Sequence, residues 1–160
     1  AAELAGQLED TRLNANLLLR EIKSYKIEST VVRSFCSDTL SLAFLEGLML
    51  GNYQFLQYFS APEKKAKGLK QLRWAHDQAP EQAVAELNIL MEGVYLARDM
   101  VNAPHSHFDA LQLAKVVEEA GKTHGFSVEI LGKEELEAMH MGGLLAVNQA
   151  STVPPRFCIL

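Results

Sequence analysis

Two histidines one residue apart are the first candidates for chemistry in this chain. His105 and His107 form an HxH pair. On an extended backbone such a pair places two imidazoles on one side, where they can supply part of a zinc site. No third ligand is evident, and Asp109 is better placed as the N-cap of a following helix. We therefore interpret the pair as polar loop residues, with metal binding as the less favoured alternative.

A cluster of carboxylates is the second candidate. Glu134, Glu135 and Glu137 stand close together, as acid–base catalysis or cation binding would require. They follow Lys133 in a segment with helical character, and a solvated helix face explains them better. The other histidines stand apart: His76, which has Asp77 beside it, His140, and His124, which the dipole of a preceding helix explains.

The remaining reactive residues lack the motifs that would activate them. Neither serine considered is in a G-x-S-x-G turn, and neither cysteine has a Cys or His companion. These four residues are Ser106, Ser151, Cys36 and Cys158. Arg98 and Asp99 are adjacent on a predicted helix and so face different directions. No dinucleotide or phosphate-binding glycine motif occurs. The sequence thus assigns no catalytic residue, no cofactor-binding residue and no metal ligand.

Composition narrows the class of protein. The chain has 160 residues, 48% of them hydrophobic, and a net charge of -5, which allows one compact domain or two small ones. The excess of acidic over basic residues disfavours binding to the negatively charged phosphates of nucleic acids. No apolar run is long enough to cross a bilayer, and residues 1–10 have no signal-peptide pattern. We therefore expect a cytoplasmic protein with no membrane partner, whose two cysteines are reduced and buried.

The apolar spacing predicts an α/β chain in which helices and strands are interspersed. Helices are predicted over 10–25, with Asp10 or Thr11 as the N-cap, and over 40–52, 80–103, 109–123 and 133–139. Strands are predicted over 28–35, 69–74, 126–130, 144–147 and 156–160. Residues 60–70, with their clustered lysines, are predicted to form a surface loop.

Two of these elements carry further expectations. Gly47 and Gly51 form a strip of small residues that lets another backbone approach closely. Residues 156–160, RFCIL, are continuously apolar, which is typical of a strand buried on both faces of a parallel sheet. Because domains seldom end inside such a strand, we expect the natural chain to continue beyond it.

Three segments resemble the leucyl aminopeptidase family of two-metal peptidases. They are FLEGLMLGNYQF at 44–55, EGVYLARDMVNAP at 92–104, and 131–156, which contains MGGLLAVNQASTVPPR. Their order and spacing are similar to those of the family. Ala150 departs from the glycine that the family usually has in the third segment, and residues 1–25 match poorly.

The resemblance implies a domain plan. It implies an α/β N-terminal domain over 1–79, incomplete at its start, with a mixed sheet flanked by helices. A long linker helix over 80–104 then leads to the first part of a second, catalytic α/β domain over 105–160.

The resemblance also implies a function. It implies a cytoplasmic, hexameric aminopeptidase in which two divalent ions, Zn or Mn, act on a peptide substrate. The family's ligand-bearing motifs, of the types GKGxxFDxGG and NTDAEGR, are absent here, so this chain should be inactive alone and hold no metal. The alternative is a free-standing, non-catalytic α/β binding or interaction module.

Overall fold

A computed structural model describes residues 2–33, 36–65, 67–75 and 80–160. The chain divides into two compact units, Ala1–Arg98 and Asp99–Leu160. Helices and small sheets alternate in both, which confirms the predicted α/β class. The domain plan that the resemblance implies stays a prediction.

Within its described residues, the first unit contains three long helices and two strands. Its elements are α1 (Ala2–Ser24), β1 (Ser29–Arg33), α2 (Asp38–Asn52), the single turn α3 (Pro62–Lys65), β2 (Gln71–Ala75) and α4 (Glu81–Asn102), which continues past the limit of the unit. The second unit contains α5 (Ala110–His124), β3 (Glu129–Leu131), α6 (Lys133–Ala138), α7 (Gly142–Asn148) and β4 (Phe157–Ile159).

Helices α1 and α2 pack closely because α2 presents a glycine at the contact. A Cβ added to Gly47 would lie 2.5 Å from the Arg12 carbonyl oxygen and 2.9 Å from the Ala15 Cβ. Only a residue without a side chain fits there, so the predicted close approach is confirmed. Beside the contact, Arg12 Nε donates a hydrogen bond to Glu46 Oε2 at 2.7 Å. Four buried residues form the core below it: Ala15, Leu19, Ile22 and Leu48.

A parallel pair of strands lies on this helical layer. β1 and β2 pair from Ser29 opposite Gln71 to Arg33 opposite Ala75. Alternate residues, including Val32 and Leu72, pack against the helical core. Side chains on the other face are exposed, among them Val31 at 57%. The sheet therefore uses one face for the core.

The carboxyl end of α2 is capped by side chains from other helices. The last turn of α2 contains no basic residue, and its C-cap is Tyr53 rather than glycine, so its terminal carbonyls need other donors. The three bonds run from Tyr95 Oη to the Met49 carbonyl, from Arg98 Nη1 to the Leu50 carbonyl at 2.8 Å, and from Lys23 Nζ to the Gly51 carbonyl at 2.8 Å. Two cationic side chains thus also oppose the negative end of the helix dipole.

This cap shifts the pKa values of two of its donors. Burial raises the pKa of Tyr95 above 10.0, and the charge of Arg98 opposes that shift only partly. Burial lowers the pKa of Lys23 below 10.5. The two pKa shifts make stability depend on pH in opposite ways. As the pH rises, the folded state keeps the Tyr95 proton longer than the unfolded state does, which lowers the free energy of unfolding. The folded state loses the Lys23 proton earlier than the unfolded state does, which raises it.

The second unit is built on an antiparallel strand pair. β3 and β4 pair from Glu129 opposite Ile159 to Leu131 opposite Phe157. Helix α5 ends at Gly125, whose φ of 77° lies in the left-handed region and whose N–H bonds to the Gly121 carbonyl. This is the predicted glycine stop.

The first predicted helix is longer than expected. It begins at Ala2, and the predicted N-cap at Asp10 or Thr11 is wrong. Residues 2–9 are mostly Ala, Glu, Leu and Gln, whose helix propensity extends α1 without an apolar stripe. Thr11 Oγ1 accordingly donates to the Gln7 carbonyl at 2.7 Å, as a threonine inside a helix can.

Two strand predictions in the second unit are also corrected. Residues 144–147 lie in helix α7, where the Leu145 N–H bonds to the Met141 carbonyl at 3.2 Å. A four-residue apolar run does not distinguish the two structures, and leucine and alanine favour the helix. The final strand pairs antiparallel with β3 rather than in a parallel sheet, and Ile159 is 43% exposed rather than buried.

We predict that Gly47→Ala destabilises the first unit by about 2 kcal/mol, because the new methyl group meets the Arg12 backbone. Urea unfolding followed by fluorescence measures this, since Trp74, the only tryptophan of the sequence, lies in that unit. The matched control is Gly93→Ala in α4, where an added Cβ meets nothing within 4 Å. That change should stabilise the unit by about 1 kcal/mol. Equal destabilisation by both would contradict the packing described.

We predict that Tyr95→Phe removes a late step from the tyrosinate absorbance titration, because burial raises the pKa of Tyr95. The contribution of Tyr95 to the free energy of unfolding should fall as the pH rises above 10.0, because the unfolded state loses this proton first. Tyr95→Phe lacks that contribution, so its free energy of unfolding should fall less over this pH range than that of the unmodified chain. Tyr25→Phe, at a side chain that is 76% exposed, is the control and should leave the late step in place.

Candidate functional site

The HxH pair lies in an exposed turn before α5. The N–H groups of His107 and Phe108 bond to the Pro104 carbonyl at 2.8 and 3.0 Å, and Ser106 Oγ lies 2.9 Å from His107 Nδ1. Sequence reasoning did not anticipate this serine–histidine contact. Within the described ranges, no three His, Cys, Asp or Glu side chains gather closely enough to hold a metal ion. The two-metal centre implied by the resemblance therefore does not fit the residues described.

Asp109 caps helix α5. Its Oδ1 accepts hydrogen bonds from the backbone N–H groups of Leu111 at 2.9 Å and Gln112 at 3.1 Å. Its backbone is extended, as an N-cap requires. The predicted capping role is confirmed, and this carboxylate is committed to the helix.

The carboxylates on α6 also have structural partners. Glu135 Oε2 accepts a hydrogen bond from the Gly132 N–H at 3.0 Å, which satisfies a free donor at the start of the helix. Glu137 forms an ion pair with Lys133 at 3.7 Å. All three acidic side chains, including Glu134, are exposed, which agrees with a solvated helix face.

The other candidate residues are dispersed. His76 and Asp77 lie outside the described residues. His124 lies in the last turn of α5, as its predicted interaction with the helix dipole requires. His140 is exposed with a φ of 54°. Arg98 bonds to a carbonyl of α2. Cys36 is exposed and Cys158 is half-buried, so the prediction that both are buried is wrong. Cys36 lies just before α2, and Cys158 lies within β4, a short strand whose residues are only partly covered.

A polar cleft of about 470 Å³ lies beside the loop that joins α7 to β4. Hydrogen bonds that hold the loop run from Asn148 Nδ2 to the Val153 carbonyl at 3.2 Å, from the Val153 N–H to Ser151 Oγ at 3.1 Å, and from the Ser151 N–H to the Asn148 carbonyl at 2.9 Å. Lys133 and Glu137 line the opposite side as an ion pair. The sequence analysis did not predict this cleft. The polar residues before Pro154 and Pro155 are the sequence feature that could have indicated it.

A second cavity, of about 300 Å³, lies within the first unit. It is lined by residues of α2, β2 and α4 and of the segment just before β2, with Leu48, Trp74 and Leu87 among its walls. The Tyr95 side chain, which caps α2, borders it. Among the residues that line it, only Lys70 is charged, and that side chain forms an ion pair with Glu28 at 2.8 Å.

The fold is that of leucine aminopeptidases. A mutant of tomato leucine aminopeptidase superposes with a TM-score of 0.81 at 25% sequence identity, over 92% of this chain and 32% of that one. The bottromycin maturation enzyme BotP superposes with a TM-score of 0.78 at 26% identity, over the same shares of the two chains.

The sequence comparisons agree. Residues 95–160 match the model of the cytosol aminopeptidase family, catalytic domain. A probable cytosol aminopeptidase of Chlorobium phaeobacteroides is 38% identical over 131 residues, covering 76% of this chain and 26% of the relative. One of Persephonella marina is 31% identical over 159 residues, covering 94% of this chain and 32% of the relative.

The chain belongs to the cytosol aminopeptidase family, a family of hydrolases. This confirms the family resemblance derived from the sequence. The chain spans between about a quarter and a third of the length of the curated relatives that it matches. No helix within the described ranges is long and apolar enough to cross a membrane.

We predict that Asp109→Ala destabilises the start of α5 by about 1 kcal/mol, because two N–H groups lose their acceptor. Hydrogen exchange at the Leu111 and Gln112 amides should then accelerate severalfold. Asp109→Asn retains an acceptor oxygen and should restore most of the protection. His105→Ala, in the preceding exposed turn, is the control; if it accelerates exchange equally, the turn rather than the cap protects these amides.

Proposed function

We propose that this chain is part of a metal-dependent aminopeptidase that releases N-terminal, leucine-like amino acids from peptides. The match of residues 95–160 to the catalytic domain of the family is the observation that carries the proposal. The similar enzyme BotP, whose structure has also been solved in complex with Mn, supports a divalent metal as the cofactor.

We infer that this chain supplies framework rather than chemistry. The carboxylates that could have served a metal are engaged in capping α5, capping α6 and pairing with Lys133. The two metal-binding motifs implied by the family resemblance do not occur in the sequence. The chain alone should therefore be inactive, with both ions, Zn or Mn, held by other parts of the enzyme.

The proposal also covers the cellular compartment and the oligomeric state of the enzyme. The relatives are named probable cytosol aminopeptidases, which supports a cytoplasmic enzyme acting on peptides. We further propose a homo-oligomer, a hexamer by the family resemblance, assembled around its catalytic domains. No membrane or nucleic-acid partner forms part of the proposal.

Hydrolysis of a leucyl anilide in the presence of added Mn²⁺ or Zn²⁺ tests the proposal. We expect no turnover by the 160-residue chain, because the described residues provide no cluster of three His, Cys, Asp or Glu side chains that could hold the metal. Clear metal-dependent turnover by this chain would contradict the assignment of the chemistry to other residues.

A positive control separates two outcomes of this assay. The probable cytosol aminopeptidase of Chlorobium phaeobacteroides, produced at full length, should release leucine under the same conditions. In a chimera, residues of that enzyme that align with this chain are replaced by this chain. A folded chimera that hydrolyses the anilide supports the enzyme proposal; a folded but inactive chimera favours the non-catalytic module instead.

A further inference from the structure

The solvent side of α1 carries a regular line of exposed residues. Gly6, Asp10, Leu13, Leu17, Arg20 and Ser24 follow one another at alternating steps of four and three positions, and all six are exposed. This alternation is the spacing with which one helix contacts another along a seam. We call these six residues the α1 seam.

The two leucines at the middle of the seam are not part of the core of their own unit. Leu13 and Leu17 are 54% and 56% exposed, whereas Ala15 and Leu19, on the opposite side of the helix, are 0% and 1% exposed. The leucines lie one turn apart and form a small apolar patch. The other described residues leave about half or more of each leucine side chain exposed.

The charges of the seam distinguish among possible partners. Asp10 and Arg20 lie at equal distances from Ala15, on either side of the two leucines. Neither side chain forms an ion pair or hydrogen bond with any described residue. In contrast, Arg12 on the inner side of the same helix is bonded to Glu46 at 2.7 Å. The two seam charges are therefore available to a partner.

This arrangement is complementary to itself when a second copy runs antiparallel. A two-fold axis that is perpendicular to the helix at the level of Ala15 places Asp10 opposite the partner's Arg20. The same axis places Leu13 opposite the partner's Leu17. The symmetry repeats each contact, as in any two-fold interface. A parallel pairing would instead oppose Asp10 to the same aspartate of the second copy, which is unfavourable.

We propose that the α1 seam is a self-association surface through which two copies of this chain pair antiparallel. The contact lies in the first unit, and so is distinct from a hexamer contact between catalytic domains. It depends on neither the metal nor the activity of the enzyme. Because two leucines and two ion pairs form a small interface, we expect a weak dimer with a Kd of about 100 µM.

Sedimentation velocity over a concentration series measures this association. We expect the 160-residue chain to shift from monomer to dimer between about 10 µM and about 1 mM, and less so at high salt, which screens exposed ion pairs. Asp10→Arg alone, or Arg20→Asp alone, should raise the Kd at least about tenfold, because each replaces two attractive contacts with two repulsive ones.

The double variant Asp10→Arg with Arg20→Asp gives the decisive comparison. It restores opposite charges at both positions and should return the Kd to within about threefold of the original. Leu13→Ala tests the apolar part and should weaken the dimer with little effect on folding, since its side chain lies outside the core. Circular dichroism checks that each variant remains helical.

Ile89→Asp is the matched control, because this residue is an exposed apolar side chain on α4 and is 67% exposed. It should leave the Kd within about twofold. A chain that stays monomeric at the highest concentration would assign the seam to another partner and overturn the proposal. The proposal also fails if single and double charge variants weaken the dimer equally.

Discussion

The first unit depends on the absence of a side chain at one position. Gly47 allows α2 to lie against the backbone of α1 at Arg12. This close approach determines how far the rest of each helix lies from the other. It brings the core residues Leu19 and Leu48 into one cluster and places the Lys23 ammonium group within hydrogen-bond distance of the last turn of α2. Packing and helix capping here are consequences of one geometric constraint.

The sequence predicts elements whose signal is local. Periodic apolar residues identify α2 and α4, and Asp109 identifies the start of α5, because a side chain that binds its own helix needs no distant partner. Elements whose arrangement depends on pairing with residues distant in sequence are harder to predict from the sequence. Nothing in RFCIL indicates that β4 pairs antiparallel with β3, and the short apolar segment in α7 fits either type of structure.

The same distinction applies to the candidate site. That Asp109 serves the helix, and that the α6 carboxylates are exposed, follows from local patterns. The contact between Ser106 and His107 depends on how a turn folds, and the cleft beside Pro154 depends on how a loop returns to a helix. The family resemblance in the sequence comes from the order of three segments whose described residues mostly cap helices, pack against other elements or connect them. Residues that identify a protein family can therefore be residues that determine its structure.

The parallel pair β1 and β2 has a further consequence. Among the residues that the structure describes, this sheet has two strands and therefore two edges, whose backbone N–H and C=O groups other strands can bind. The open face of this sheet carries Val31 together with the exposed arginines Arg33 and Arg73. Bringing two such sheets together would bring these cations together. The arginines thereby favour a sheet that remains separate over one that adds strands from its neighbours and aggregates.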